Sequence, residues 1–264
     1  MKPFRPRRSL GQSFLRHNPT ADRLVGALEL EPGDVVLEIG PGQGVLTRRL
    51  LGKARRVVAV EIDRRLIRRL GAEFGVRTDF ELVHADFLEY DLSRHRGIKV
   101  LGNLPYKSCS QILVRMLGQI GAWRLAVLTT QREFAGRVLA SPGTKAYGAL
   151  SVMTERICHR ERLFNIRAER FRPKPDVMST AFRLVHRKRP LYEPDDPELF
   201  RRLVRSAFAH RRKTLANNLL AEFGFQKDLA SGLLAQARIG LRDRAEAVDL
   251  EAFVRLYELL RRPT

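Results

Sequence analysis

A chain of 264 residues with 44% apolar content is long enough to bury a substantial core, and it suits one large domain or one domain with a small appendage. Lys plus Arg outnumber Asp plus Glu by 49 to 29; a net charge of +20 brings self-repulsion to a compact protein, so a polyanion is the expected partner. No stretch approaches the roughly 18 apolar residues of a membrane helix, which sets nucleic acid ahead of a membrane surface, and two widely spaced cysteines, Cys109 and Cys158, match neither a zinc pattern nor a disulfide framework.

In chain order, the first segment, MKPFRPRRSLGQSFL, is basic and lacks an apolar core of signal-peptide length, so a cytoplasmic protein with free thiols is expected. Five β-branched runs follow: Asp34–Gly40, Arg56–Ile62, Phe80–Asp86, Lys99–Asn103 and Arg124–Thr130. They are nearly continuous apolar runs, as in strands covered on both faces. Helical patterns such as GVLTRRLLGKA and RRLIRRLGAEFG lie between them, and this alternation predicts a doubly wound, mainly parallel sheet. Two later runs, ERICHRERLF and MSTAFRLV, read as strands joined by the proline-containing loop RAERFRPKPD. After about Val185 the strand signal stops. HRKRPLYEPDDPE reads as a charged linker, and residues 196–224 as a helical stretch from an Asp196 N-cap to a Gly224 stop. In DLEAFVRLYELL, Leu250, Phe253, Val254, Tyr257 and Leu260 share one helical face. The expected division is therefore 1–186 and 187–264, with residues 1–15 as a basic arm.

Three strand ends carry ligand-type residues. EIGPGQGVLT follows the first strand, and Gly40, Gly42 and Gly44 let a ligand approach the backbone. In an open α/β sheet this is where ligands bind, although a Gly-rich turn alone serves NAD, FAD and S-adenosylmethionine alike. Glu61 ends the second strand, where an acid accepts from a ribose diol. Asp86 ends the third with Phe87 beside it, a carboxylate for an adenine amine and a ring for its face. Together they fit a nucleoside-bearing cofactor without separating NAD from S-adenosylmethionine.

The fourth strand ends in Asn103-Leu104-Pro105-Tyr106, which resembles the Asn/Asp-Pro-Pro-Tyr class of motif of amino-methyltransferases; the resemblance implies an amine as methyl acceptor, and the residue types suit one. An exocyclic adenine amine is a poor nucleophile because its lone pair is delocalised into the ring. The Asn103 carboxamide oxygen and the Leu104 carbonyl can accept both amino hydrogens and favour a pyramidal nitrogen as positive charge develops. Pro105 stiffens the turn, and Tyr106 stacks on an extruded base. Hydride transfer has no need of this arrangement.

These segments resemble the ribosomal RNA adenine N6,N6-dimethyltransferases of the KsgA type, over nearly the whole length. RRSLGQSFL, EIGPGQGVLT, VEID, HADFL and GNLPY occur in family order, and KAYGALSVM, FRPKPDVMST, RRKTLANNL and ARIGLRDRAEAVDLEAF are more specific. The resemblance implies an α/β fold with a Rossmann-like class I methyltransferase sheet of seven strands and a small all-helical C-terminal domain. It implies S-adenosylmethionine as methyl donor and two adjacent adenosines in the 3′-terminal hairpin loop of 16S rRNA as target. The expected setting is an immature 30S subunit, for a monomer off the ribosome that needs no metal or membrane. By motif, cofactor contacts fall on Gln12, Ser13, Leu15, Gly40, Gly42, Glu61, Ile62, Asp86, Phe87 and Asn103, and the target base on Asn103, Leu104, Pro105 and Tyr106. Ser13 stands where the family usually has Asn, so a side-chain contact to the cofactor there is in doubt. RNA contacts are expected at Arg5, Arg7, Arg8, Lys107, Arg211, Arg212 and Lys213, the last three at the start of a helix. The rival readings are an Erm-type enzyme acting on 23S rRNA, a ribosome-assembly factor whose catalysis is secondary and, remotely, a dinucleotide oxidoreductase.

Overall fold

The structure is a computed structural model that describes residues 6–7 and 11–261. In chain order its principal elements are β1 (Phe14–Leu15), α1 (Asn18–Gly26), β2 (Val35–Ile39), α2 (Thr47–Leu50), β3 (Arg56–Glu61), α3 (Arg64–Phe74), β4 (Phe80–His84), β5 (Ile98–Asn103), α4 (Cys109–Leu117), β6 (Trp123–Gln131), α5 (Arg132–Leu139), α6 (Ala149–Ile157), β7 (Cys158–Ile166), β8 (Phe171–Arg172), β9 (Ser179–His186), α7 (Pro197–Ala207), α8 (Leu215–Phe223), α9 (Lys227–Gln236) and α10 (Leu250–Arg261). The described chain through Ala135 and Arg160–His186 form one compact unit; Gly136–His159 and the described chain from Arg187 form the other.

The first unit holds a seven-stranded sheet in the order β4-β3-β2-β5-β6-β9-β7. β4 through β6 run parallel, and β9 pairs with β6 antiparallel. This is the Rossmann-like α/β fold of the methyltransferases. The apolar runs explain it: Val36, Leu37, Val57, Val58, Val100, Leu101, Val127 and Leu128 are all buried, as strands packed on both faces require. The strand order reverses at β2, whose neighbours are β3 on one side and β5 on the other. A crevice therefore opens beyond the carboxyl ends of these strands. A separate ribbon pairs β1 with β8, Phe14 opposite Arg172 and Leu15 opposite Phe171.

The opposite end of the sheet is closed by charge. The Lys99 ammonium, only 2% exposed, lies 2.7 Å from Asp34 Oδ2 and donates to the Glu29 carbonyl. Arg124 Nη2 meets Asp34 Oδ1 at 2.5 Å. Burial alone would raise the Asp34 carboxyl, but the Glu31 N–H, Lys99 and Arg124 outweigh it and hold it below its ordinary value.

The second unit is helical, built around Phe200, Leu203, Phe253, Leu256 and Tyr257, with Tyr147 and Val152 from the earlier segment. Leu250, Phe253 and Tyr257 are buried along α10, and Val254 and Leu260 pack against the same core. Asp196 caps α7 by accepting from the N–H groups of Glu198 and Leu199 at 3.0 Å, and Gly224 ends α8 at φ 67°.

Three expectations are corrected. The division at 186/187 captures only part of the helical unit, because α6 supplies part of its core. The run ERICHRERLF is strand only from Cys158; Glu155–Ile157 close α6, where Arg156 stacks over Phe200 at 5.9 Å and donates to the Tyr192 carbonyl. Arg211–Lys213 do not begin a helix. They sit in the turn between α7 and α8, because the Asn218 amide takes the Ala207 carbonyl at 2.8 Å and Thr214 caps α8 afresh. No described helix is long and apolar enough to cross a membrane.

Breaking a buried pair strands the remaining charge. Asp34→Ala is expected to lower stability by about 3–5 kcal/mol, and Asp34→Leu with Lys99→Met to recover most of that loss. Denaturant unfolding of the three proteins checks this; a single variant within about 1 kcal/mol of wild type would count against the pairing.

Candidate active site

The loop after β2 turns on glycines. Gly40 and Gly42 adopt φ +64° and +58°, a region that other L residues rarely enter. A Cβ on Gly42 would stand 2.7 Å from the Phe14 ring, whereas one on Gly40 would enter open space. Phe14 can thus lie against the loop only because residue 42 has no side chain. The helix that follows, α2, is a single turn. Recognition beyond these strands therefore falls on carboxylates rather than on a long helix's N-terminus.

Glu61, 5% exposed at the end of β3, accepts from Gly42 N at 3.2 Å and from Asp63 N at 2.9 Å. Burial pushes its carboxyl up, and the two N–H groups oppose the rise. The next side chain, Ile62, is 45% exposed, an apolar surface facing solvent in the cleft wall. Asp63 caps α3 and binds Arg65 through both oxygens. That guanidinium, together with Gln12, holds the Asp63 carboxyl far below the ordinary carboxylate range. Asp86 fixes its own turn by accepting from Leu88 N at 2.9 Å.

At the end of β5, Asn103 Nδ2 donates to the Ser13 carbonyl at 2.8 Å. The amide nitrogen is thereby committed to the arm, and Oδ1 is the end that remains to accept. Leu104 N donates to Thr129 O at 2.9 Å, which ties the turn to β6. The Tyr106 hydroxyl lies 3.0 Å from Ser179 Oγ on β9, fixing the ring, and burial pushes that hydroxyl up.

These groups share one cleft of about 320 Å³. On the loop and carboxylate side it is lined by Gly40, Gly42, Glu61, Ile62, Asp86 and Phe87. On the other side are Asn103, Leu104, Pro105, Tyr106 and Lys107, with Gln12 and Ser13 from the arm. Of the expected cofactor residues, Leu15 alone stands apart. Its side chain is buried in the core beneath β1, and Phe14 takes the wall position. Two arm side chains are spent on structure. Gln12 donates to Asp63 at 2.9 Å, and the Ser13 hydroxyl donates to the Pro173 carbonyl at 2.9 Å.

The expected RNA contacts divide. Arg5 and Arg8 lie outside the described residues. Arg7 is exposed, with its backbone N–H on Gln12. Lys107, Arg212 and Lys213 are exposed. Arg211 is engaged within its own unit, by the Lys145 and Tyr147 carbonyls and by Glu246.

Sequence reasoning missed Phe14, Asp63 and Ser179. Asp63 had a signal, an acid directly before the periodic RRLIRRL, as N-caps have. Phe14 had the alternation with Leu15. Ser179 had none, because its partner is 73 residues away.

The comparisons with known proteins decide the family. The family model described as ribosomal RNA adenine dimethylase matches residues 4–261. The chain belongs to the ribosomal RNA adenine dimethylase family. Among curated relatives, it is 39% identical to "Ribosomal RNA small subunit methyltransferase A" of Rippkaea orientalis, over 97% of each chain. It is 38% identical to the protein of that name from Lactococcus lactis, over 97% of this chain and 90% of the other. Among solved structures, a dimethyladenosine transferase from Plasmodium falciparum superposes with a TM-score of 0.79 at 24% identity, covering 92% of this chain and 95% of that one, a likeness of fold. The 23S rRNA methyltransferase ErmE gives 0.71 at 31% identity, over 94% and 100%. The chain is thus an RNA-modifying enzyme of the dimethylase family, and the Asn-Leu-Pro-Tyr turn and the Gly-rich loop of that family form the two sides of its cleft.

Behind the loop, Glu38 is 1% exposed. Thr47 Oγ1 donates to its Oε2 at 2.7 Å, while Oε1 has no partner among the described residues. Burial, with Glu61 nearby, lifts this carboxyl from the ordinary 4.5 to about 7. A raised acid stabilises the fold below its unfolded value and loses that contribution as pH rises through the folded one. Between about pH 4.5 and 7 the contribution is on the order of 3 kcal/mol. Glu38→Gln is expected to flatten the stability profile across that window, measured by urea unfolding at several pH values; an unchanged wild-type slope would remove Glu38 as its source.

Proposed function

We propose that this protein transfers methyl groups from S-adenosylmethionine to the N6 amines of two adjacent adenosines in the 3′-terminal hairpin loop of small-subunit rRNA. Monomeric off the ribosome, it acts on the immature 30S subunit, in the cytoplasm, as part of small-subunit biogenesis. The carrying observation is the orientation of Asn103. With Nδ2 donated to Ser13, Oδ1 is an acceptor next to the Leu104 carbonyl in a partly apolar cleft.

The residues present fit a nucleoside-bearing methyl donor. The space above Gly40 is open, Glu61 supplies a desolvated carboxylate at the end of β3, and Ile62 exposes an apolar face to the same cleft. Gly40, Gly42, Glu61, Ile62, Asp86 and Phe87 would hold it. When bound, it supplies a methyl carbon made electrophilic by a sulfonium. The chain's own part is to orient the amine. Asn103 Oδ1 and the Leu104 carbonyl accept its two hydrogens and stabilise the positive charge that grows on nitrogen as the methyl is transferred. One of those hydrogens leaves as a proton to solvent, and the hydrogen left on the monomethylated nitrogen leaves in the same way in the second transfer. Tyr106, anchored at Ser179, offers a fixed ring for the extruded base. The small-subunit reading is favoured over a 23S target because the curated small-subunit relatives are 36–39% identical and ErmE 31%.

Purified protein, labelled S-adenosylmethionine and unmethylated small subunits, followed by nucleoside analysis, tests the reading. N6,N6-dimethyladenosine in small-subunit rRNA is the expected product; label appearing only in protein-free large-subunit RNA would overturn it. Asn103→Ala is expected to lower methyl transfer by about 10²-fold or more, the scale for removing one preorganised polar contact to a transition state. Near-normal turnover would deny Asn103 this role.

A further inference from the structure

The outer face of the β1–β8 ribbon borders the cleft and carries arginines that the site described above does not use. In an antiparallel pair, opposed residues share a face and the next pair takes the other. Leu15 and Phe171 form the inner face, and both are buried. Phe14 and Arg172 form the outer face, and Phe14 is a wall of the cleft. Arg16 N donates to Arg170 O at 2.8 Å, so these two arginines stand side by side at the ribbon's open end. Arg16, Arg170 and Arg172 are all exposed, and among the described residues none of the three side chains has a hydrogen bond or ion pair. Elsewhere arginines are consumed: Arg48, Arg56, Arg77, Arg183 and Arg202 are each held by a carboxylate. Of the acids in the adjoining loop, Glu169 is taken by Lys174 at 2.8 Å, which leaves Asp176.

We propose that Arg16, Arg170 and Arg172 form a contact for the phosphate backbone of the RNA strand that delivers the target base to the cleft. The inference rests on the RNA-methylating function proposed above. An extruded base enters the cleft while its flanking phosphates stay at the rim, and the rim beside Phe14 is this ribbon. A guanidinium presents a planar fork to phosphate oxygens. The buried Leu15 and Phe171 hold the ribbon to the core, so little backbone freedom is lost when RNA binds. The contact reads backbone rather than sequence.

The test is the salt dependence of binding to unmethylated small subunits. The triple variant Arg16→Gln, Arg170→Gln, Arg172→Gln is compared with wild type and with a charge-matched control. The control is Lys53→Gln, Arg55→Gln, Arg96→Gln, exposed positions just before β3 and β5 at the far end of the sheet. Losing three single-strand phosphate contacts is expected to reduce the slope of log K against log salt by about 2. The KM for subunits is expected to rise about tenfold or more, with the loss falling on KM rather than kcat and S-adenosylmethionine affinity unchanged. An unchanged slope in the ribbon variant, or an equal loss in the control, overturns the proposal. Labelling of subunits by the wild type is measured first. Its absence sinks the proposed function and this contact together, whereas labelling with an unchanged ribbon slope sinks this contact alone.

Discussion

Asn103 has one free end because Ser13 holds the other. The hydrogen bond from the amide nitrogen to a backbone carbonyl of the arm selects which atom of the carboxamide meets the cleft. A neutral amide can donate or accept, and here its environment settles the matter. Much of the first unit serves that one contact. β1 pairs with β8 to hold residues 14 and 15, Gln12 is tied to Asp63, and the Ser13 hydroxyl is tied to Pro173. Gly42 gives the Phe14 ring room to lie down. The two sides of the cleft are thus joined by a few residues of one segment, which links Asp63, next to the carboxylate of β3, to the amide of β5.

Charge is distributed unequally along the sheet. At the far end, Asp34, Lys99 and Arg124 satisfy one another. At the cleft end, Glu38 and Glu61 are buried with no cation paired to them among the described residues, and both are raised. Desolvated carboxylates at that end suit a ligand that brings hydrogen-bond donors. The large positive excess of the chain is similarly uneven, since many arginines are occupied by acids and only some are free to meet an anion.

The sheet was legible because its strands are apolar runs ended by chemically distinctive residues. Glu61, Asp86 and Asn103 each follow such a run, and all three line the cleft. The Leu15 side chain goes into the core rather than the cleft because in a short strand neighbouring side chains point to opposite sides, and the ribbon's register decides which goes inward. The Asn218 amide that separates α7 from α8 reaches back 11 residues to Ala207, so periodicity alone ran the two helices together. The anchoring of Tyr106 at Ser179 depends on strand order, which no local pattern encodes. The short Ser13 side chain is taken up by the Pro173 carbonyl, while its backbone carbonyl accepts from Asn103, a contact to which side-chain identity is indifferent.

The path of the chain between its two units has an evolutionary and practical side. Because α6 is inserted between strands of the sheet and shares a core with the last four helices, the C-terminal segment is not a detachable module. A protein ending near residue 186 would keep Tyr147 and Val152 but lose the side chains that cover them. Truncation or fusion at the linker would leave an adhesive remnant, and grafting the tail alone onto another scaffold would leave a hole.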